Sequence, residues 1–182
     1  KIMDTKEKIL STSFKLFVNN GYHNTSMQQL VETSKMSKGA FYHYFKGKND
    51  LYRQVINQYF LSFYKEVDWE KYKQAKLSIR EIEQEIQNFY LRFIPEIMVL
   101  TEKGVSEYYI MYFEAFNLLP EFKKKVQKFY ENLTKVIINA TDNKTEPIKI
   151  ATKLIAKYEG ILFLQAIYPN RKINELIEQI AE

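Results

Sequence analysis

Apolar residues recur three and four positions apart along almost the whole chain, and no stretch alternates apolar and polar residues as a half-buried strand does. The pattern predicts helices throughout. The first spans roughly residues 4–20, with Ile9, Leu10, Phe14, Phe17 and Val18 on one face and Asn20-Gly21 at its end. Thr25 with Gln28, or Ser26 with Gln29, has the spacing of a capping box. Either pair starts a short second helix that turns Met27, Leu30 and Val31 inward. Ser34-Lys35-Met36-Ser37 reads as a tight polar turn, and Ser37 can cap a third helix from Lys38 to about Phe45, which Gly47 ends. A fourth begins near Lys48 and carries Leu51, Val55, Ile56, Phe60 and Phe63 towards the low seventies. Five more follow, at about 78–101, 104–116, 119–140, 147–167 and 172–181. Pro95 predicts a kink or break inside its helix, Pro120 and Pro147 sit at helix starts where proline is tolerated, and Pro169 is a stop.

The third helix has an unusual composition. Five ring-bearing residues, Phe41-Tyr42-His43-Tyr44-Phe45, follow Lys38 and precede Lys46 and Lys48. Helical geometry divides them. Phe41 and Phe45 share one face and can pack on Phe14, Phe17, Leu30 and Val31, leaving Lys38, Gly39, Tyr42 and His43 outside and Tyr44 at the edge. Two short helices joined by a tight turn, the second with a basic and aromatic outer face, make a helix-turn-helix, whose second helix enters the DNA major groove. Lys38 can donate to guanine or to phosphate. Gly39 and Ala40 allow close approach, and Tyr42 and His43 can reach phosphates or base edges. Lys48 stands in the first turn of the fourth helix, where a cation opposes the helix dipole; a bound phosphate would remove the conflict. Thr25 and Ser26 offer hydroxyls and N–H groups to another phosphate. The expected class is all-α, with an N-terminal three-helix helix-turn-helix domain over 1–47 and a C-terminal helical bundle over 48–182, to which the family resemblance given below adds regulation, ligand binding and dimerisation.

Charge supports the division. Residues 1–50 hold eight Lys against four acidic residues, while the remainder is close to neutral within a formal total of +5. A basic quarter on a near-neutral body suggests an anionic partner for that quarter. The start lacks the apolar core of a signal peptide, no apolar run is long enough to span a membrane, and there is no cysteine, so a cytoplasmic protein without disulfides is expected. With two histidines and no cysteine, neither a metal site nor a cofactor is expected. No GxSxG, HExxH, GxGxxG or P-loop is present, so no enzyme is expected.

Residues 4–52 resemble the DNA-binding domain of the TetR-type transcriptional regulators, on the segments KEKILSTSFKLFVNNGY and TSMQQLVETSKMSKGAFYHYFKGKNDLY. Thr33-Ser34-Lys35-Met36 departs from that family's usual alanine-glycine-valine turn, and Val31-Glu32 from its isoleucine-alanine. The rest of the chain resembles the family only in length and helical character. The resemblance implies a homodimer on a palindromic double-stranded operator, repression, and release by a small-molecule effector held in the C-terminal domain. It carries DNA contact onto Lys38, Gly39, Tyr42, His43 and Lys48, with Thr25 and Tyr44 as phosphate contacts.

The C-terminal readings come from aromatic and apolar density. Phe60, Tyr64, Phe89, Phe93, Tyr108, Tyr112 and Phe116 can line a pocket for a flat apolar ligand, or can simply be core. Glu107 and Glu114 share a helix face with some of these rings and would favour a cationic ligand. The helix from about 148 to 167 is apolar on more than one side, as a helix buried on several sides is. Leu154, Tyr158, Gly160, Ile161 and Gln165, with Leu176 and Ile180 of the last helix, are the expected dimer surface, the alternative being closure of the monomer core. A regulator with no ligand, or one controlled by a partner, is the competing function; it would lack an accessible cavity.

Overall fold

The computed structural model describes residues 4–65, 67–101, 104–141 and 145–180; residue 181, expected to close the last helix, lies outside them. The described residues are helical, with no strand among them. In chain order the helices are α1 (Thr5–Asn20), α2 (Met27–Ser34), α3 (Lys38–Tyr44), α4 (Lys48–Tyr59), α5 (Leu61–Lys65), α6 (Trp69–Gln74), α7 (Ile79–Leu100), α8 (Val105–Leu118), α9 (Pro120–Asn139), α10 (Pro147–Ile167) and α11 (Ile173–Ile180). Side-chain caps set several starts. Asp4 with Glu7, Ser26 with Gln29 and Ser78 with Glu81 each form a reciprocal capping box, and the Ser37 hydroxyl accepts from the Ala40 N–H.

Two expectations change. The fourth helix ends at Tyr59, well short of the low seventies. Phe60, with φ −118°, interrupts the helix, the short α5 follows at once, and Asp68 then caps a separate α6 by accepting from the Glu70 and Lys71 N–H groups. Pro95 does not end its helix: α7 continues through it to Leu100. Pro95 and Leu91, four residues back, are both exposed, so water can take the carbonyl that proline leaves unbonded.

The chain forms two compact units. The first takes the residues up to Lys65 together with Glu107–Lys123. Here α1 packs on α2 and α4, and Ile9, Phe14, Phe17, Leu30, Phe41, Phe45, Leu51, Tyr52 and Phe60 are buried. The second takes Glu66–Ser106 and the residues from Lys124 onward. In it α7, α10 and α11 pack together over Ile82, Ile94, Ile97, Leu154, Ile161 and Leu176. This second unit also holds half-buried polar groups. The Glu159 carboxylate accepts from the hydroxyls of Tyr90 and Tyr130 at 2.6 and 2.5 Å. Glu83 accepts from Lys157 and from the Tyr158 hydroxyl, both at 2.8 Å. No helix among the described residues is long and apolar enough to cross a membrane.

Candidate nucleic-acid interface

The division of α3 follows the helical repeat. Phe41 and Phe45 are buried with ring centroids 5.7 Å apart, while Lys38, Gly39, Tyr42, His43 and Tyr44 are exposed and Ala40 is half-buried. The turn before α3 is made without glycine. Lys35 takes the left-handed conformation at φ 55°, ψ 30° and ends α2. Ser26 is exposed at the start of α2, its hydroxyl accepting from the Gln29 N–H at 3.1 Å and its own N–H donating to the Gln29 side chain at 2.8 Å.

Thr25 and Lys48 have different partners from those expected. Thr25 is 0% exposed, and its hydroxyl donates to the Gly21 carbonyl at 2.7 Å. It braces the turn between α1 and α2 from inside and offers no hydroxyl to a phosphate. The Lys48 ammonium donates to the carbonyls of Tyr22 and Thr25 at 2.9 and 3.0 Å and lies 4.2 Å from the Tyr22 ring centroid. The conflict between this cation and the α4 dipole is therefore met inside the protein, by two carbonyl oxygens and an aromatic face. An ammonium has three donors, so one remains for a phosphate.

The structure adds groups that sequence reasoning did not connect. The Glu114 carboxylate, on α8, accepts the Tyr22 N–H at 3.0 and 3.1 Å and the Tyr52 hydroxyl at 3.2 Å. Burial first, and the Glu114 charge second, push the Tyr52 and Tyr22 phenols above their ordinary range, so both stay protonated donors. Glu114 is thus committed to the helix-turn-helix, whereas its spacing among rings had suggested a cationic ligand. Glu107 is buried. No signal in the sequence links Tyr22 with an acceptor 92 residues away.

Together, the outer face of α3 and the clamped turn beneath it form a helix-turn-helix, and residues 9–55 match the family of bacterial regulatory proteins named tetR. That segment carries the DNA-binding domain of the TetR family. The HTH-type transcriptional regulator QacR of Staphylococcus aureus is 27% identical over 136 residues, 71% of this chain and 66% of QacR. YuxN, an uncharacterised HTH-type transcriptional regulator of Bacillus subtilis, is 46% identical over 59 residues, 32% of this chain and 20% of YuxN. The chain therefore spans less than two thirds of the length of either TetR relative. A crystal structure of AibR in complex with isovaleryl coenzyme A and operator DNA matches with a TM-score of 0.69 at 16% identity, over 97% of this chain and 96% of that one, a likeness of fold.

The remaining candidates separate. Of the aromatic residues expected around a ligand, Phe60, Tyr64, Tyr108, Tyr112 and Phe116 fall in the first unit. Phe60 stacks on Tyr108 at 4.4 Å, the Tyr64 and Tyr112 hydroxyls are 2.7 Å apart, and Tyr112 packs on Phe116 at 4.7 Å. Phe89 and Phe93 fall in the second unit, stacked on each other at 5.1 Å. The expected dimer surface is turned inward: Leu154, Tyr158, Ile161, Gln165 and Leu176 are buried within the single chain. Gln165 closes the end of α10 by donating to the carbonyls of Pro169 and Arg171 at 3.2 and 3.1 Å. Ile180 and Gly160 are half-buried. The side of α10 opposite the buried residues presents Ala156, Gly160, Phe163 and Ile167, with Phe163 61% exposed.

Proposed function

We propose that the chain regulates transcription in the cytoplasm, binding a palindromic DNA operator as a homodimer, repressing, and leaving the DNA when a small hydrophobic or aromatic ligand binds. The observation that carries this reading is the split of α3: two phenylalanines hold the helix to its unit, while Lys38, Gly39, Tyr42 and His43 face outward. A helix so mounted presents a donor, a gap and two polar rings to a major groove. Lys48 holds the turn and keeps one donor for a backbone phosphate. The outer face of α10 supports the dimer, because apolar side chains flanking a glycine are what a second copy of the same helix packs against. An effector is supported by AibR, which has the same fold and was solved with both an operator and isovaleryl coenzyme A.

Selection from a pool of random duplexes tests the reading. The native chain should enrich a palindrome whose half-sites lie about one helical turn apart or a multiple of it. Lys38→Ala should cost about 1–3 kcal/mol and relax one position in each half-site. Enrichment of no sequence would overturn it. A screen of apolar and aromatic compounds against that operator then tests the effector, since a ligand acts only as far as it binds the two states unequally.

A further inference from the structure

We propose that Glu114 is a positioning residue for DNA binding, reaching from α8 to hold the turn on which the helix-turn-helix is mounted. The proposal rests on the DNA-binding reading above. α1 ends at Gly21, whose φ of 76° turns the chain sharply. The next residue, Tyr22, points its N–H at both oxygens of Glu114, at 3.0 and 3.1 Å. A β-carbon at position 21 would lie 3.4 Å from Glu114 Oε1, so the carboxylate is in van der Waals reach of the turn it bonds. The same carboxylate takes the Tyr52 hydroxyl from α4 at 3.2 Å, and that hydroxyl also lies 3.5 Å from the Met111 carbonyl of α8.

The contacts then run on towards the DNA-facing helix. The Tyr22 carbonyl, in the residue whose N–H Glu114 holds, accepts from Lys48 in the first turn of α4. The Thr25 carbonyl, one residue before the cap of α2, accepts from the same ammonium. The Thr25 hydroxyl returns to the Gly21 carbonyl. One carboxylate therefore fixes the point where α1 ends, α2 begins and α4 starts. The segment between the last two, Met27 to Gly47, contains the turn and α3. Glu114 acts through these groups. A carboxylate set against DNA would repel the phosphates, and this one is spent on an amide and a phenol. These contacts tie α8 to the helix-turn-helix, with which it shares one compact unit.

The experiment measures the full chain by fluorescence anisotropy against its selected operator and against a scrambled duplex. Native protein is compared with Glu114→Ala, Glu114→Gln and Tyr52→Phe. A shift of α3 by a fraction of its contacts affects base readout, whereas general attraction to phosphate does not need it. Glu114→Ala should lower operator affinity about tenfold and leave scrambled-duplex affinity within about twofold, so the specificity ratio falls. Glu114→Gln keeps one acceptor for the Tyr22 N–H and should restore the ratio to within about threefold of native. A folded Glu114→Ala chain with the native ratio overturns the proposal. If the alanine variant fails to fold, Tyr52→Phe decides: a specificity ratio reduced by about twofold or more supports the proposal, and the native ratio overturns it. If the native chain selects no operator, the DNA-binding reading fails first, and that result precedes any variant.

Discussion

A β-carbon added at Gly39 would meet no atom of the chain within 4 Å. Nothing inside the protein asks for glycine there, and in a helix glycine is a poor choice. Gly39→Ala should therefore raise folding stability by about 0.5–1 kcal/mol. If the residue is kept small for a duplex, the same change should weaken operator binding by about tenfold, about 1.4 kcal/mol. A thermal melt and a binding titration on one preparation check both; a variant that gains in both removes the close approach. Tyr52 makes a different prediction. Its phenol is held above its ordinary 10.0 by burial and then by Glu114. The folded chain keeps this proton more tightly than the unfolded chain, so stability is whole below about pH 10 and falls as pH rises beyond it. Denaturant midpoints measured above pH 10 should fall less steeply in Tyr52→Phe, with Tyr158, also raised chiefly by burial, keeping part of the slope. The exposed α3 residues were legible in the sequence because period alone decides which side of a helix is wet. Thr25 and Lys48 were not. Their partners are backbone carbonyls, which every residue has, so no residue type signals the pairing.

Among the elements, the turn before α3 shows what a sequence can and cannot disclose. Ser34-Lys35-Met36-Ser37 marked a turn, but which of them leaves the right-handed region is fixed by the chain's path, and it is Lys35, at φ 55°. A lysine there carries a β-carbon in a conformation that glycine adopts freely. Lys35→Gly should stabilise the fold by roughly 0.5–1 kcal/mol, the relief of that strain outweighing the added freedom of the unfolded chain. A rise in melting temperature with unchanged helicity is the expected result, and a fall would mean that the lysine side chain contributes more than its backbone costs. The starts of α2 and α3 were readable because Ser26, Gln29 and Ser37 are specific capping residues. The end of α4 was not. Apolar residues continue at helical spacing through Phe60 and Phe63, and no glycine or proline stands between Lys48 and Asp68 to mark the break. At Pro95 the break does not occur, since a helix can absorb a proline on a face open to water.

On the scale of the whole molecule, the proposed dimer rests on α10. Apolar residues ring this helix, so the sequence could name it as a surface without saying which side faces the protein's own core. The structure buries Leu154, Tyr158 and Ile161 and leaves Phe163 and Ile167, 50% exposed, on the other side. Gly160 lies with them, and a β-carbon there would meet nothing within 4 Å. Phe163→Glu should convert a dimer to a monomer in sedimentation without loss of helicity, because the change places charge at the proposed seam and touches no core. Operator binding should fall with it, since two half-sites are then no longer held together. Retention of the dimer would move the interface elsewhere.

The link between Glu114 and Tyr22 has a consequence for borrowing. The helix-turn-helix reads in sequence as a detachable cassette of some fifty residues, the sort that can be spliced onto another regulatory body. Its turn nevertheless takes an acceptor from α8, and Tyr52 takes the same one. A chimaera carrying only the first 65 residues would leave a backbone N–H and a phenol without their oxygen. The transplant would need α8, or a host helix that brings a carboxylate to the same place. The part of this protein that reads DNA is a unit in space without being a unit of the chain.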